Sequence, residues 1–335
     1  MSYKFKRKKI ALIVGNGLTL DLLEYLNLKE YWNSSNPFSW KDKINKPEEY
    51  KTKNFEEMFP KLSLVIQNFG KNKSDFEMLY YIFSNKNKVV KFLSNKYNTP
   101  NYLLLWGILR NEIEHYFSFA FSTFQRIIEK YQKEIECWSY FKWINKNKKS
   151  IKFIISFNYD LIIELLLKKN KIEYHSFGIE GESLTGIPLL KPHGSVDYEV
   201  SNNAININKL KYPLDNAFTW NDTPLIRIDR NELFKVRKIS PYVLPSEYSQ
   251  ISNYQWIKPG YADFKTKIKN VDTVYLIGHS YSEFDKNELL QNIIIHIKPN
   301  TKVVIVNPKP NNDLIKDLKN NGLNVSIKTN SKELL

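Results

Sequence analysis

Four short polar clusters and a single asparagine carry the residue types that bind or transform small molecules. Gly15-Asn16-Gly17 offers two glycines that let the backbone turn tightly and approach a pyrophosphate, which a following helix N-terminus attracts. A plain turn uses the same residues, and the third glycine of the dinucleotide fingerprint is missing. In Ser156-Phe157-Asn158-Tyr159-Asp160, the Asn158 side chain can both donate and accept, so it suits orienting a water or a ribose hydroxyl. Asp160 could accept from a carboxamide, or both residues could cap the next helix. His193, within Lys191-Pro192-His193-Gly194-Ser195-Val196-Asp197, is of the residue type suited to general-base work, although a lone histidine beside a turn also serves structure. Gly278 and Ser280 could contact phosphate or ribose and Asn307 a ribose hydroxyl, and each alone is also ordinary turn chemistry.

Every one of these groups follows an apolar run of strand character. The runs are Ile10–Val14, Phe153–Phe157, Ile187–Leu190, Thr273–Ile277 and Val303–Val306, with weaker candidates at Tyr242–Leu244 and Val325–Ile327. Continuous apolar strands fit a parallel sheet covered on both faces. Helical segments are expected at Leu18–Tyr25, Leu161–Leu167, Gly260–Ile268, Phe284–His296 and Asn311–Lys319. Strands alternating with such helices predict a Rossmann-like, doubly wound α/β fold. Residues 27–149 have a different texture, with few β-branched clusters and many aromatics. Apolar residues from Leu105, Leu109 and Ile113 through to Tyr131 recur at helical steps, and further helices are expected around Leu62–Phe69 and Phe76–Phe83. The whole chain, 1–335, therefore reads as one catalytic domain with a large helical insertion between its first and second strands. Residues 201–239 read as a polar surface excursion.

With 42% hydrophobic and 14% aromatic residues the chain can build a substantial core. Its single cysteine, Cys137, excludes an internal disulfide and any zinc site that needs paired cysteines, and no metal is expected. No transmembrane span or signal peptide is recognised, so a cytoplasmic location is expected. The net charge of +15, from 50 Lys and Arg against 35 Asp and Glu, fits an anionic partner or nucleotide. It equally fits a lysine-rich compositional bias.

Taken in order, the clusters resemble the sirtuin family in its bacterial, zinc-free branch. Gly15-Asn16-Gly17-Leu18-Thr19 is similar to that family's opening Gly-Ala-Gly-Ile-Ser, and Phe157-Asn158-Tyr159-Asp160 to its Gln-Asn-Ile-Asp. His193-Gly194-Ser195 is similar to its catalytic His-Gly segment, Gly278-His279-Ser280 to its Gly-Thr-Ser, and Val306-Asn307 to its late ribose-binding Asn. The resemblance covers residues 10–26 and 153–308 and departs from the family in having no four-cysteine ribbon and in placing Phe157 where the family has Gln. It implies an NAD+ hydrolase that releases nicotinamide and ADP-ribose. Asn158 and His193 would be catalytic, and Gly15, Asn16, Gly17, Thr19, Asp160, Gly278, Ser280 and Asn307 would bind NAD+. It further implies the toxic effector of a multi-protein antiphage system, controlled by a companion protein or by homo-oligomerisation. Trp32, Trp40, Tyr80 and Tyr81 would then belong to a docking surface on the insertion, and direct nucleic-acid binding stays open. A protein deacylase or ADP-ribosyltransferase using the same pocket, or a non-catalytic nucleotide sensor, are the competing readings.

Overall fold

The chain enters its main sheet at β1 (Ile10–Val14), whose five residues are all buried. The computed structural model describes residues 7–46, 48–201, 224–234 and 254–335. Along β1, Ile10, Leu12 and Val14 join the core on one face while Ala11 and Ile13 join the core on the other. That alternation is the pleat of a strand covered on both sides. The sheet continues with β2 (Ile151–Ser156), β3 (Tyr174–Ser176) and β4 (Ile187–Leu190). A separate antiparallel ribbon is formed by β5 (Tyr198–Val200) and β6 (Leu225–Arg227). The main sheet is completed by β7 (Thr273–Ile277), β8 (Lys302–Val306) and β9 (Asn324–Lys328). Its order is β3-β4-β2-β1-β7-β8-β9, with every pair parallel. The fold is a Rossmann-like, doubly wound α/β sheet. The chain builds outward from β1 on one side, then returns to place β7 on the other. Such a reversal leaves a crevice beyond the carboxyl ends of β1 and β7.

Helix α1 (Gly17–Tyr25) follows β1 directly. Between it and β2 come α2 (Phe55–Met58), α3 (Pro60–Phe69), α4 (Asp75–Ser84), α5 (Lys86–Tyr97), the 28-residue α6 (Tyr102–Glu129), α7 (Gln132–Ile135) and α8 (Ser139–Asn147). The remaining helices are α9 (Ile162–Lys169), α10 (Lys258–Lys267), α11 (Lys286–Asn292) and α12 (Asn312–Asn320). Local chemistry sets the starts of several of these. Asn54 with Glu57, and Ser74 with Glu77, form reciprocal capping boxes at α2 and α4, and Asn101 accepts from the Leu104 amide to open α6.

The aromatics of the insertion form its interior. Trp40 is fully buried, stacked on Phe124 at 5.4 Å, and Trp32 meets the Trp40 edge at 5.4 Å. The expectation that Trp32 and Trp40 form a docking surface is therefore corrected. Both indoles pack on the buried aromatic face of α6, Trp40 against Phe121 and Phe124 and Trp32 against Phe124. Tyr80 and Tyr81 are half-buried, against Phe284 and Phe69 respectively.

Two further expectations change. Part of residues 201–239 is built into the fold: β6 pairs with β5, Leu225 is buried, and Arg227 is held by ion pairs. The strand expected at Tyr242–Leu244 lies outside the described residues. Among the described residues, no helix is long and apolar enough to cross a membrane.

Candidate active site

A cavity of about 1160 Å³ opens at the carboxyl ends of β1, β2, β4, β7 and β8, between the sheet and the insertion. This is somewhat larger than an ordinary small-molecule site, which runs to about 1,000 Å³. Gly15, Asn16, Gly17, Asn158, His193, Gly278, Ser280 and Asn307 all line it. Thr19 and Asp160 do not line it; they are buried behind it. The insertion supplies Ser74, Phe76, Trp138 and Tyr140 to the opposite wall, and the C-terminal segment supplies Thr329 to Lys332. Three lysines, Lys29, Lys309 and Lys332, and four carboxylates, Asp21, Glu24, Glu77 and Asp285, line the cavity, so the basic surplus of the chain is not concentrated here.

The glycine turn does something different from what its sequence suggests. Its amides are engaged within the protein: Gly15 N–H donates to Ile277 O at 2.8 Å, and Gly17 N–H to Gly278 O at 2.8 Å. A side chain on Gly17 would place its Cβ 2.4 Å from the Gly278 Cα, and Gly278 itself holds φ +60°. The two glycines let the loops after β1 and β7 touch backbone to backbone, which sets the floor of the crevice. Asn16 is occupied by two serines, accepting from Ser34 at 2.6 Å and donating to Ser35 at 3.0 Å. Ser280 donates to Asp285 at 3.3 Å, and Asn307 donates to His279 O at 3.2 Å.

Asn158 is held more tightly. Its Nδ2 donates to Gly15 O at 3.2 Å and to Thr19 Oγ1 at 3.1 Å. Thr19 in turn donates to Asp160 Oδ2 at 2.7 Å, while Asp160 Oδ1 accepts from the Ile162 amide at 3.1 Å. A backbone carbonyl can only accept, so the amide group of Asn158 is oriented without ambiguity. Both its hydrogens are used, and Oδ1 is what it offers to a bound molecule. The site therefore presents an acceptor, suited to a hydroxyl or a water. Burial pushes the Asp160 carboxyl above its usual range, opposed by Lys191 and the Thr19 hydrogen bond. Both its oxygens are satisfied, so Asp160 acts here as the anchor of Thr19 and Asn158.

His193 lines the cavity beside Phe157, with ring centroids 5.0 Å apart, and His279 lies 5.1 Å from the other side of that ring. His193 Nε2 is 2.8 Å from Glu288 Oε2, and Glu288 Oε1 accepts from the Tyr261 hydroxyl at 2.5 Å. Burial, with Glu288 adjacent, raises the Tyr261 phenol well above its usual range. His279 accepts from the Tyr281 amide through Nδ1 at 3.0 Å, and burial holds its imidazole below the usual histidine range.

The loop carrying His193 is pinned from below by two cations. Lys191, with no exposed side chain, donates to Asp160 O at 2.6 Å and Ser195 Oγ at 2.8 Å and lies 2.9 Å from Glu164. Arg227 of β6 binds Asp197 at 2.5 Å, Ser176 at 2.6 Å and Glu182 at 2.7 Å. Removing one partner from such an ion pair is costly, even though Asp197 Oδ1 and the Glu164 oxygens accept no hydrogen bond.

Sequence reasoning did not single out Glu288, Tyr261, Lys191 or Arg227. No local pattern marks Tyr261 or Glu288, which lie on α10 and α11 and meet His193 only through the fold. Lys191 was within a quoted segment, and its position two residues before His193 was the available signal. Among the described residues, no three His, Cys, Asp or Glu side chains converge as a metal site. A smaller cavity of about 600 Å³ lies within the insertion, lined by Phe38, Lys41, Glu56 and Asp75 among others, away from the strand ends.

No protein-family model matches the chain, and no curated protein matches it. Among solved structures it is similar to a chain reported under "Structural Basis for the Mechanism and Regulation of Sir2 Enzymes". That similarity covers 98% of this chain and 89% of the other at 12% identity, with a TM-score of 0.34. With a likeness so distant, the functional reading stands on the motifs and the geometry of the cavity.

Proposed function

We propose that this chain hydrolyses NAD+ to nicotinamide and ADP-ribose. The observation that carries the reading is the pairing of Asn158 and His193 on one cavity at the strand ends, with the Asn158 carbonyl as the group turned to a ligand. Nicotinamide in NAD+ is a cationic leaving group, so the enzyme has little bond-breaking to drive. As the glycosidic bond breaks, its electron pair moves to the ring nitrogen and positive charge develops on the ribose. Asn158 Oδ1 accepts from a ribose hydroxyl or the attacking water and holds it in place. His193 takes the proton that water loses as its oxygen bonds the anomeric carbon. A positioned base of this kind contributes about 10²- to 10⁴-fold in rate. Asp160 serves by orienting Thr19 and Asn158 from behind.

The same resemblance supports a role as the NAD+-depleting effector of an antiphage system, with a companion protein as trigger. Purified protein incubated with NAD+ tests the chemistry: stoichiometric nicotinamide and ADP-ribose support hydrolysis. Dependence of nicotinamide release on an added acylated peptide would replace hydrolysis with deacylation. Failure to release nicotinamide under any condition would leave a non-catalytic nucleotide site. Expression alone and with genomic neighbours during phage challenge, with cellular NAD+ as readout, tests the biological role.

A further inference from the structure

Glu288 has no exposed side-chain surface and His193 only 5%, so the contact between them is made away from water. An ionised carboxylate buried without partners costs several kcal/mol. Here each oxygen meets a different group, the Tyr261 hydroxyl and the His193 imidazole. These three residues come from α10, α11 and the loop after β4, with His193 and Glu288 95 positions apart. Only His193 of the three lines the cavity. Glu288 and Tyr261 therefore act on a ligand through His193. A histidine needed only as a packed ring would be equally satisfied by a backbone carbonyl. A carboxylate does more, because it accepts the ring proton and also favours the charged imidazolium.

We propose that Glu288, held by Tyr261, is a positioning residue that keeps the His193 proton on Nε2 and stabilises the imidazolium formed when His193 accepts a second proton. The inference rests on the reading of His193 as base in NAD+ hydrolysis. In the step concerned, the water oxygen bonds the anomeric carbon and the carbon–nitrogen pair departs with nicotinamide. The released proton goes to the His193 imidazole, and the Nε2 proton stays in place, hydrogen-bonded to Glu288. Tyr261 keeps the carboxylate from rotating out of line by holding its other oxygen.

The test combines kinetics of NAD+ cleavage with nitrogen-15 and proton NMR of the five histidines, the His193 signals assigned by their loss in His193→Ala. Wild-type protein is expected to show His193 carrying its proton on Nε2, with the low-field proton of a histidine–carboxylate pair. Glu288→Gln should move that proton upfield and lower kcat by about 10²-fold or more, with KM within about 3-fold. Glu288→Asp should recover part of both the signal and the rate, and Tyr261→Phe should lower kcat by about 3- to 10-fold. A wild-type His193 protonated on Nδ1 would overturn the proposal, as would a folded Glu288→Gln variant with unchanged kcat. Should Glu288→Gln fail to fold, the wild-type tautomer and the Tyr261→Phe rate decide the matter. If wild-type protein releases no nicotinamide, the hydrolase reading fails, while the NMR signature still decides whether Glu288 fixes His193.

Discussion

The strand-end cavity and the helical insertion both bury polar groups, and they meet the cost in opposite ways. At the cavity the buried polar residues that matter to the site are linked in networks: Asn158 with Thr19 and Asp160, His193 with Glu288 and Tyr261, Lys191 with Ser195 and Glu164. The insertion buries aromatics instead and leaves two carboxylates, Glu112 and Asp75, thinly supported, although Arg110 holds Glu114. Glu112 is raised by burial to about 7, with only the Leu62 amide and the more distant Lys61 opposing it. Asp75 is raised by burial to about 6, opposed by the Phe38 amide alone. Networks fix geometry at the cavity, where burial raises Asp160 and Glu164 as well; in the insertion Glu112 and Asp75 have fewer partners opposing the same push. Damage at the cavity should therefore reach activity before stability, and damage in the insertion the reverse.

The largest effects test the cavity half of that contrast. Asn158→Ala and His193→Ala should each lower nicotinamide release by about 10²- to 10⁴-fold while circular dichroism stays close to wild type. Near wild-type turnover in either folded variant would remove the mechanism. In the insertion, Trp40→Ala deletes a fully buried, stacked indole and should cost about 3–5 kcal/mol in denaturant unfolding. A cost under about 1 kcal/mol would mean that the aromatic cluster does not support that region.

The pH dependence of the insertion follows from Glu112. Its folded value of about 7 exceeds its ordinary 4.5, so between those limits the folded state holds a proton that the unfolded state has lost. The stability this supplies is fully present below pH 4.5 and is lost as pH rises through about 7. Glu112→Gln should flatten the wild-type decline between pH 4.5 and 8 by an amount on the order of 3 kcal/mol, read from unfolding at several pH values. A variant that tracks wild type across this range would show that Glu112 is not titrating there. The smallest expected effect is Asn101→Ala, which removes the cap of α6 and should cost about 1 kcal/mol without altering turnover.

Much of the sheet was legible because buried parallel strands are written as unbroken apolar runs. Ile10–Val14, Ile187–Leu190 and Thr273–Ile277 coincide with β1, β4 and β7, and the alternation of strand and helix was enough for the doubly wound class. Short β3 and the helices α5 and α8 were not foreseen. Three residues such as Tyr174–Ser176 carry no readable period, and the lysine-rich α5 shows only a sparse buried face of Val89, Val90 and Leu93. Sequence could not separate core from surface among the aromatics either. Trp40 and Tyr80 look alike beside lysines, and only packing on Phe124 or Phe284 distinguishes them.

For the site, the sequence by itself determined which polar groups end the strands, because a residue that follows an apolar parallel strand must emerge at its carboxyl edge. That is a local property, and it put Gly15, Asn158, His193, Gly278 and Asn307 at one rim. The tertiary structure decided what each group has left to offer. It engaged the Gly15 and Gly17 amides with the loop after β7, set Thr19 and Asp160 behind the wall, and brought Glu288 to His193. Those outcomes depend on pairings between residues tens to more than a hundred positions apart, where hydrogen-bond geometry is set by how helices and loops pack. No spacing along the chain encodes it.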